Sequence, residues 1–304
     1  MKKKIGIIGP GKHFEKKILP ILKKSNFFQI AGILRNQNKN FFNYKIYNEL
    51  NFFKKNFDFV YISTPNEIHE KYILKSLNSD FHVICEKPFL TSKKNLNKVL
   101  KLAEKKNKLI FEAFMFLYHP AFQFIKKINK KNLVNVISNF RFPSLDEKNN
   151  RYFKSKGNGF LFDSACYLVA LENNLFSENM FKKKKIIYSQ VKNNVSLHGN
   201  FIIDSNKIKR FYFWGEGQNY SNNIELIFKD KSIFIDKFYS KSFNETINVK
   251  LYKKNKRKLI KFKNVNHFKE MFKIIKKKYK NKSFQKKQRK LIYKQINLLE
   301  KLNK

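Results

Sequence analysis

Glycine, arginine and cysteine are all scarce in this 304-residue chain, and each scarcity excludes something. Two cysteines, Cys85 and Cys166, cannot build a disulfide framework in a chain this long. Each lies in an apolar run, so buried thiols in a reducing cytoplasm are expected. Long apolar runs are missing too. None reaches the roughly 18 to 20 residues of a membrane span. Met1-Lys2-Lys3-Lys4 imitates the basic start of a signal peptide, but only Ile5-Gly6-Ile7-Ile8 follows before a glycine turn, too short for export. Cysteine and histidine are too scattered for a zinc site, and no Ser-His-Asp arrangement can be argued. What is plentiful is apolar residues, at 42%, enough to bury a sizeable core, and the 29% charged fraction is ordinary.

Charge of one sign is abundant. The net charge is +44, which by itself suggests nucleic acid or an anionic surface. Only six of the 66 basic residues are Arg, however, and readers of phosphates and bases favour Arg. Lys, Asn, Ile and Phe are inflated together, as a drift toward A- and T-rich codons would produce. The lysines are also spread along the whole chain. Their densest stretch, 271–304, holds 13 basic residues and the single acid Glu300. Ile274, Ile275, Leu291, Ile292, Ile296 and Leu299 recur there at helical spacing, predicting two amphipathic helices with solvated lysine faces. Neither a nucleic-acid partner nor a membrane is expected.

Six of the nine glycines fall in three pairs: Gly9/Gly11, Gly157/Gly159 and Gly215/Gly217. The first pair follows a short apolar run at 4–8 and precedes a helical pattern at 14–24 with Pro20 as a kink. Strand, Gly-x-Gly and helix in that order point to a dinucleotide site. One glycine permits the tight turn, the next lets a pyrophosphate approach the backbone, and the helix start offers amide donors. Lys12 and His13 follow, and His13 is placed to touch phosphate. Phe14 stands where the fingerprint has Gly or Ala, which implies looser packing of helix on strand. Further strands are predicted at 27–34, 57–63, 81–85 and from 109, with helices at 67–77 and 91–105. The alternation argues a doubly wound parallel sheet, an α/β Rossmann domain over 1–120. Thr64-Pro65-Asn66 and Glu86-Lys87-Pro88 end two of these strands, where such sheets bind ligands. Beyond residue 120, segments at 132–142, 185–193, 199–204, 208–214, 223–229, 231–238 and 245–252 alternate or are rich in β-branched and aromatic residues. They predict a second, α+β domain over 121–304 with a mostly antiparallel open sheet, the final helices packing on it or on the first domain.

The ordered set Gly9-Pro10-Gly11, Thr64-Pro65-Asn66 with His69, Glu86-Lys87-Pro88, Glu112-Ala113-Phe114-Met115 leading to His119-Pro120, and Gly157-Asn158-Gly159 leading to Asp163 and Tyr167 resembles the glucose–fructose oxidoreductase and inositol dehydrogenase (Gfo/Idh/MocA) family. Tyr167 is similar to the tyrosine-containing branch. The resemblance covers residues 1 to about 170 by motif and the remainder by texture. It implies hydride transfer between a nicotinamide cofactor and a sugar-like carbinol or carbonyl, and a second domain that binds substrate and often forms dimers. Lys87, Asp163 and Tyr167 are then the catalytic candidates. Tyr is a poor acid or base at its free pKa of about 10, and a nearby ammonium such as Lys87 would lower it. Asp163 and Tyr167, four apart, would share one helix face, with Asp163 orienting a substrate hydroxyl or Lys87. Gly9, Gly11, Lys12, His13, Phe14, Thr64, Pro65, Asn66, His69, Glu86 and Lys87 are the cofactor-binding candidates. Arg35 and Asn36 join them: no acid follows the second strand, and Arg35 stands 24 residues after Gly11, roughly where an acid would hold the ribose hydroxyls. Its guanidinium suits a 2′-phosphate, so NADP is expected in preference to NAD. His69 is balanced between packing and function, His119 leans to the cleft, and His82 is expected to be structural. The alternative is a catalytically silent nucleotide-binding sensor or assembly protein of the same fold.

Overall fold

A computed structural model describes residues 1–35, 41–153, 159–176, 183–192, 194–205 and 207–303, with the side chains of Asn150 and of 183–190 outside the description. The chain divides into two compact units, Met1–Ala113 with Met271–Asn297 and Phe114–Glu270 with Leu298–Lys304.

In the first unit, short apolar runs become parallel strands: β1 (Lys3–Ile8), β2 (Phe28–Leu34), β3 (Ile46–Tyr47), β4 (Phe59–Ile62), β5 (His82–Cys85) and β6 (Ile110–Glu112), in the order β3-β2-β1-β4-β5-β6. Every residue of β4 is buried, as a strand covered on both faces requires. The strand order reverses direction between β1 and β4, and a crevice opens at the carboxyl ends there. The helices are α1 (Leu19–Lys23), α2 (Glu49–Phe53), α3 (His69–Asn78) and α4 (Leu96–Lys105).

The first helix departs from the sequence reading. Phe14–Ile18 is wound as a π-helix before α1 begins. Pro20 lacks an N–H and its ring crowds the preceding turn, so the chain widens ahead of it. Pro20 then sits in the first turn of α1, where no donor is needed. Nor does Phe14 loosen the packing. Its ring is fully buried, 5.8 Å from that of Tyr61 and 6.3 Å from that of Phe41.

The second unit carries α5 (Pro120–Lys127), α6 (Cys166–Leu175) and an eight-stranded sheet. Its strands are β7 (Leu133–Arg141), β8 (Lys183–Lys192), β9 (Val195–Ser205), β10 (Ile208–Gly215), β11 (Ser221–Phe228), β12 (Ser232–Asp236), β13 (Ile247–Lys253) and β14 (Lys256–Phe262), ordered β14-β13-β12-β11-β7-β10-β9-β8. β7 and β10 run parallel and the other pairs antiparallel. β14 was not expected: Lys256-Arg257-Lys258-Leu259-Ile260-Lys261-Phe262 is mostly exposed and shows little apolar alternation. Both edge strands are rich in lysine, which discourages pairing with other chains. α6 is buried along nearly its whole length, and its Glu172 accepts from Arg210 Nε (3.0 Å) and Tyr212 Oη (2.5 Å) inside the core.

The chain ends in α7 (His267–Lys278) and α8 (Lys282–Leu302). The sequence reading bounded the second domain at 121–304 and left these helices to pack on either domain; Met271–Asn297 cluster with the first unit. Aromatic contact supplies the reason. Phe272 lies 5.6 Å from Phe28, Tyr279 lies 5.1 Å from Phe59, and Ile292 and Ile296 join the core of the parallel sheet.

Candidate functional site

Three loops leave the carboxyl ends of β1, β4 and β5. Gly9 has a left-handed φ of +65°, and a Cβ on it would come within 2.3 Å of Thr64 Cγ2. Only glycine lets the two loops approach so closely. Gly11 differs: a Cβ there would meet nothing within 4 Å. The protein itself does not require glycine at that position, and a group approaching the loop from outside would. Lys12 and His13 are exposed beside it, and no side chain caps the first helical turn.

A cavity of about 230 Å³ lies alongside, lined by Ile8, Gly9, Pro10, Leu34, Arg35, Thr64, Pro65, Ile68 and Tyr72. Its one charged lining residue is Arg35, whose guanidinium lies 5.3 Å from the centre of the Phe41 ring. Thr64 Oγ1 and both carboxylate oxygens of Glu67 are buried without a hydrogen-bond partner. Pro65 is exposed and Asn66 half-buried at the start of the short helical turn Asn66–Ile68. Asn36 lies outside the described residues.

The loop after β5 is held at several points. Glu86 Oε1 accepts from Tyr61 Oη at 2.5 Å and lies 3.4 Å from His13 Nε2. Burial alone would raise its pKa, but hydrogen bonding from His13 and Tyr61 and the charge on Lys87 hold it below the usual carboxylate range. Lys87 is half-buried and joined to Pro88 by a cis peptide. His69 is fully buried, with Nδ1 2.9 Å from Pro88 O and Nε2 3.0 Å from Thr64 O. Both ring nitrogens are thus taken up by backbone. This candidate cofactor contact instead ties two of the site's loops together. Burial lowers its pKa against those two carbonyls. Phe14, another cofactor candidate, has its side chain in the core.

In the second unit, Tyr167 is buried in α6 among Phe140 (4.9 Å), Phe114 (5.4 Å) and Phe116 (5.8 Å). Asp163 lies in a π-helical turn, Leu161–Ala165, that runs into α6. Its carboxylate pairs with Arg151, Nε to Oδ2 at 2.7 Å and Nη2 to Oδ1 at 3.3 Å. Sequence reasoning missed Arg151; its one signal was the rarity of arginine. Burial opposes the Arg151 charge, but Asp163 and then Tyr167 outweigh it and raise the guanidinium pKa. Asp163 and Tyr167 therefore act on one cation. Gly157 and Asn158 of the preceding motif lie outside the described residues. His119, expected to lean to the cleft, is 1% exposed, and its Nδ1 accepts from Ala121 N–H to cap α5. His82 Nδ1 likewise accepts from Leu109 N–H, a structural role.

Residues 3–114 match the family model GFO_IDH_MocA, described as an oxidoreductase family with an NAD-binding Rossmann fold. That N-terminal segment is similar to the Gfo/Idh/MocA family. A dTDP-3,4-didehydro-2,6-dideoxy-alpha-D-glucose 3-reductase of Actinomadura kijaniata is 23% identical over 174 residues, 56% of this chain and 52% of that one. D-xylose 1-dehydrogenase (NADP(+)) 2 of Haloferax volcanii is 31% identical over 117 residues, 37% of this chain and 36% of that one. The matched segments span about half or less of these relatives. Among solved structures, a 3-ketoreductase from Actinomadura kijaniata with NADP and TDP-benzene has a TM-score of 0.86 at 16% identity, covering 99% of this chain and 96% of that one. An aldose-aldose oxidoreductase from Caulobacter crescentus gives 0.85 at 14%, with the same coverages. These likenesses show that the chain shares the fold of those structures along its length.

Proposed function

We propose that this chain is an NADP-dependent oxidoreductase that moves hydride between the nicotinamide and a sugar-like carbinol or carbonyl carbon. The observation that carries the reading is the cavity at the carboxyl ends of β1, β2 and β4. It combines mostly apolar walls for an adenosine, a left-handed Gly9, an open position at Gly11 and a single arginine. The residues fit the cofactor. Gly9, Gly11, Lys12 and His13 would hold the pyrophosphate, Arg35 with Asn36 the 2′-phosphate, and Thr64, Pro65 and Asn66 the far side of the cleft. The buried, unpartnered Thr64 Oγ1 is a ready polar contact for a ligand group. When bound, the nicotinamide supplies or takes up the hydride. Tyr167 moves the proton at the substrate oxygen, Lys87 supplies the positive charge that makes a phenol competent to do so, and Asp163 orients through Arg151.

The relatives act on a dTDP-linked keto sugar and on D-xylose, which supports a sugar-like substrate. Thermal stabilisation by NADPH together with turnover of a sugar or keto-sugar tests the reading. Stabilisation without turnover of any candidate would favour a silent nucleotide sensor. Tight, salt-sensitive nucleic-acid binding without a cofactor response would overturn it.

A further inference from the structure

We propose that Glu112 is a positioning residue for Lys87, fixing the backbone of the lysine's loop and setting the charge beside it. The inference rests on the role given to Lys87 above. Glu112 is the last residue of β6, in register with Cys85 at the end of β5, so its carboxyl stands at the sheet end from which Glu86-Lys87-Pro88 departs. Its Oε1 accepts the N–H of Phe89 at 2.8 Å. Phe89 is fully buried and Glu112 only 7% exposed, so water does not compete for that bond. The loop is thus held on both sides of Lys87: Glu86 by Tyr61, Pro88 by His69 and Phe89 by Glu112. A lysine whose neighbours are all bonded presents its ammonium from a fixed backbone, as a preorganised charge requires.

Glu112 is also the member of this frame whose charge can change near neutrality. Burial pushes its pKa up to about 8, against the Phe89 N–H and the Lys87 charge. Its ionisable surroundings are Lys87 and the buried Cys85 thiol, which both Glu86 and Glu112 push upward after burial itself. Below its midpoint Glu112 is a neutral acid that still offers a carbonyl oxygen to Phe89. Above it the proton is lost to solvent and an anion stands beside the ammonium. That anion stabilises Lys87 as a cation but cancels part of its field, so the help it gives a phenol weakens as pH rises.

Two measurements decide the matter. The first follows the 13Cδ shift of labelled glutamate, with Glu112→Gln assigning the resonance. The midpoint should lie near 8 and move upward in Lys87→Met, because a stabilising cation is gone. A midpoint in the ordinary carboxylate range, or one indifferent to Lys87→Met, overturns the proposal. This arm needs no substrate, so it stands even if the enzymatic reading fails. The second is the pH profile of kcat with NADPH and whichever sugar the parent turns over. Glu112→Gln keeps an acceptor for Phe89 and should remove the inflection near pH 8. Glu112→Ala should lower kcat severalfold with a smaller change in KM. Profiles of Glu112→Gln and parent that superimpose would sink the role.

Discussion

A guanidinium beside an aromatic ring offers two parallel N–H donors and a face for stacking, the combination that captures a phosphate on an adenosine. Arg35 has that setting against Phe41 at the rim of the cavity. Arg35→Ala should weaken NADP binding by about 1.5 to 3 kcal/mol, the range for hydrogen bonds to charged groups, and leave NAD little changed. Calorimetric dissociation constants for both cofactors check this, and an equal loss for both would contradict it. Tyr167→Phe should cut turnover roughly 10²- to 10⁴-fold, the usual worth of a general acid–base. Lys87→Met should do at least as much harm, with cofactor affinity falling less than turnover in both variants. Near-normal turnover by Tyr167→Phe would remove Tyr167 from its role. At this scale the sequence was legible where a motif has rigid local geometry. Gly9, Thr64 and Lys87 all stand at strand ends, as their spacing implied. Arg151 was not legible, because its pairing with Asp163 depends on how the chain between them folds back. His69 was ambiguous for a similar reason: a ring bonded to two carbonyls 19 and 5 residues away leaves no local pattern.

Helix and strand patterns survived the passage to structure wherever burial was continuous. The run that became β4 is apolar throughout, and those of β1 and β5 are apolar past Lys3-Lys4 and His82; a doubly covered strand has no other pattern to show. β14 escaped notice because an edge strand faces water and carries lysine, leaving little alternation. The π-helical turn ahead of α1 was equally invisible. Pro20 announced a disturbance, but its form depends on how Phe14 is seated in the core. His119, capping α5, yields a prediction that belongs to this scale. Burial, and then the charge of Lys241, lowers its pKa from 6.5 to about 4. A folded-state pKa below the unfolded one gives stability that is present above pH 6.5 and is lost as pH falls toward 4. The loss is up to about 3 kcal/mol. His119→Asn keeps a capping oxygen and cannot take up the proton, so its melting temperature should fall less steeply between pH 6.5 and 4. Parallel slopes for parent and variant would show that His119 does not set the acid sensitivity.

Two units, one wound around a parallel sheet and one around an eight-stranded sheet, were foreseen from the change of texture near residue 120. The return of 271–297 to the first unit is one of the two placements the sequence left open, since amphipathic helices carry no address for the face they cover. The net charge of +44 finds no dedicated surface in the site. Lysines line the outer faces of the last two helices and the edge strand β14, as compositional drift on a fixed fold would place them. Should the eight-stranded sheet pair with a second copy, as the family resemblance implies, two bodies of like charge must meet. Association should then strengthen as salt rises from about 0.05 to 0.5 M, because screening removes their repulsion. Light scattering across that range tests it, and a dimer that dissociates on adding salt would contradict the account.

The central claim is that the cavity beside Gly9 and Arg35 serves hydride transfer. The most direct measurement follows the absorbance of reduced nicotinamide while sugars, keto sugars and their nucleotide-linked forms are offered to the purified protein with NADPH or NADP. The account predicts substrate-dependent consumption or formation of NADPH by the parent, abolished in Lys87→Met. Full binding of NADPH with no change in absorbance across the whole panel would contradict it.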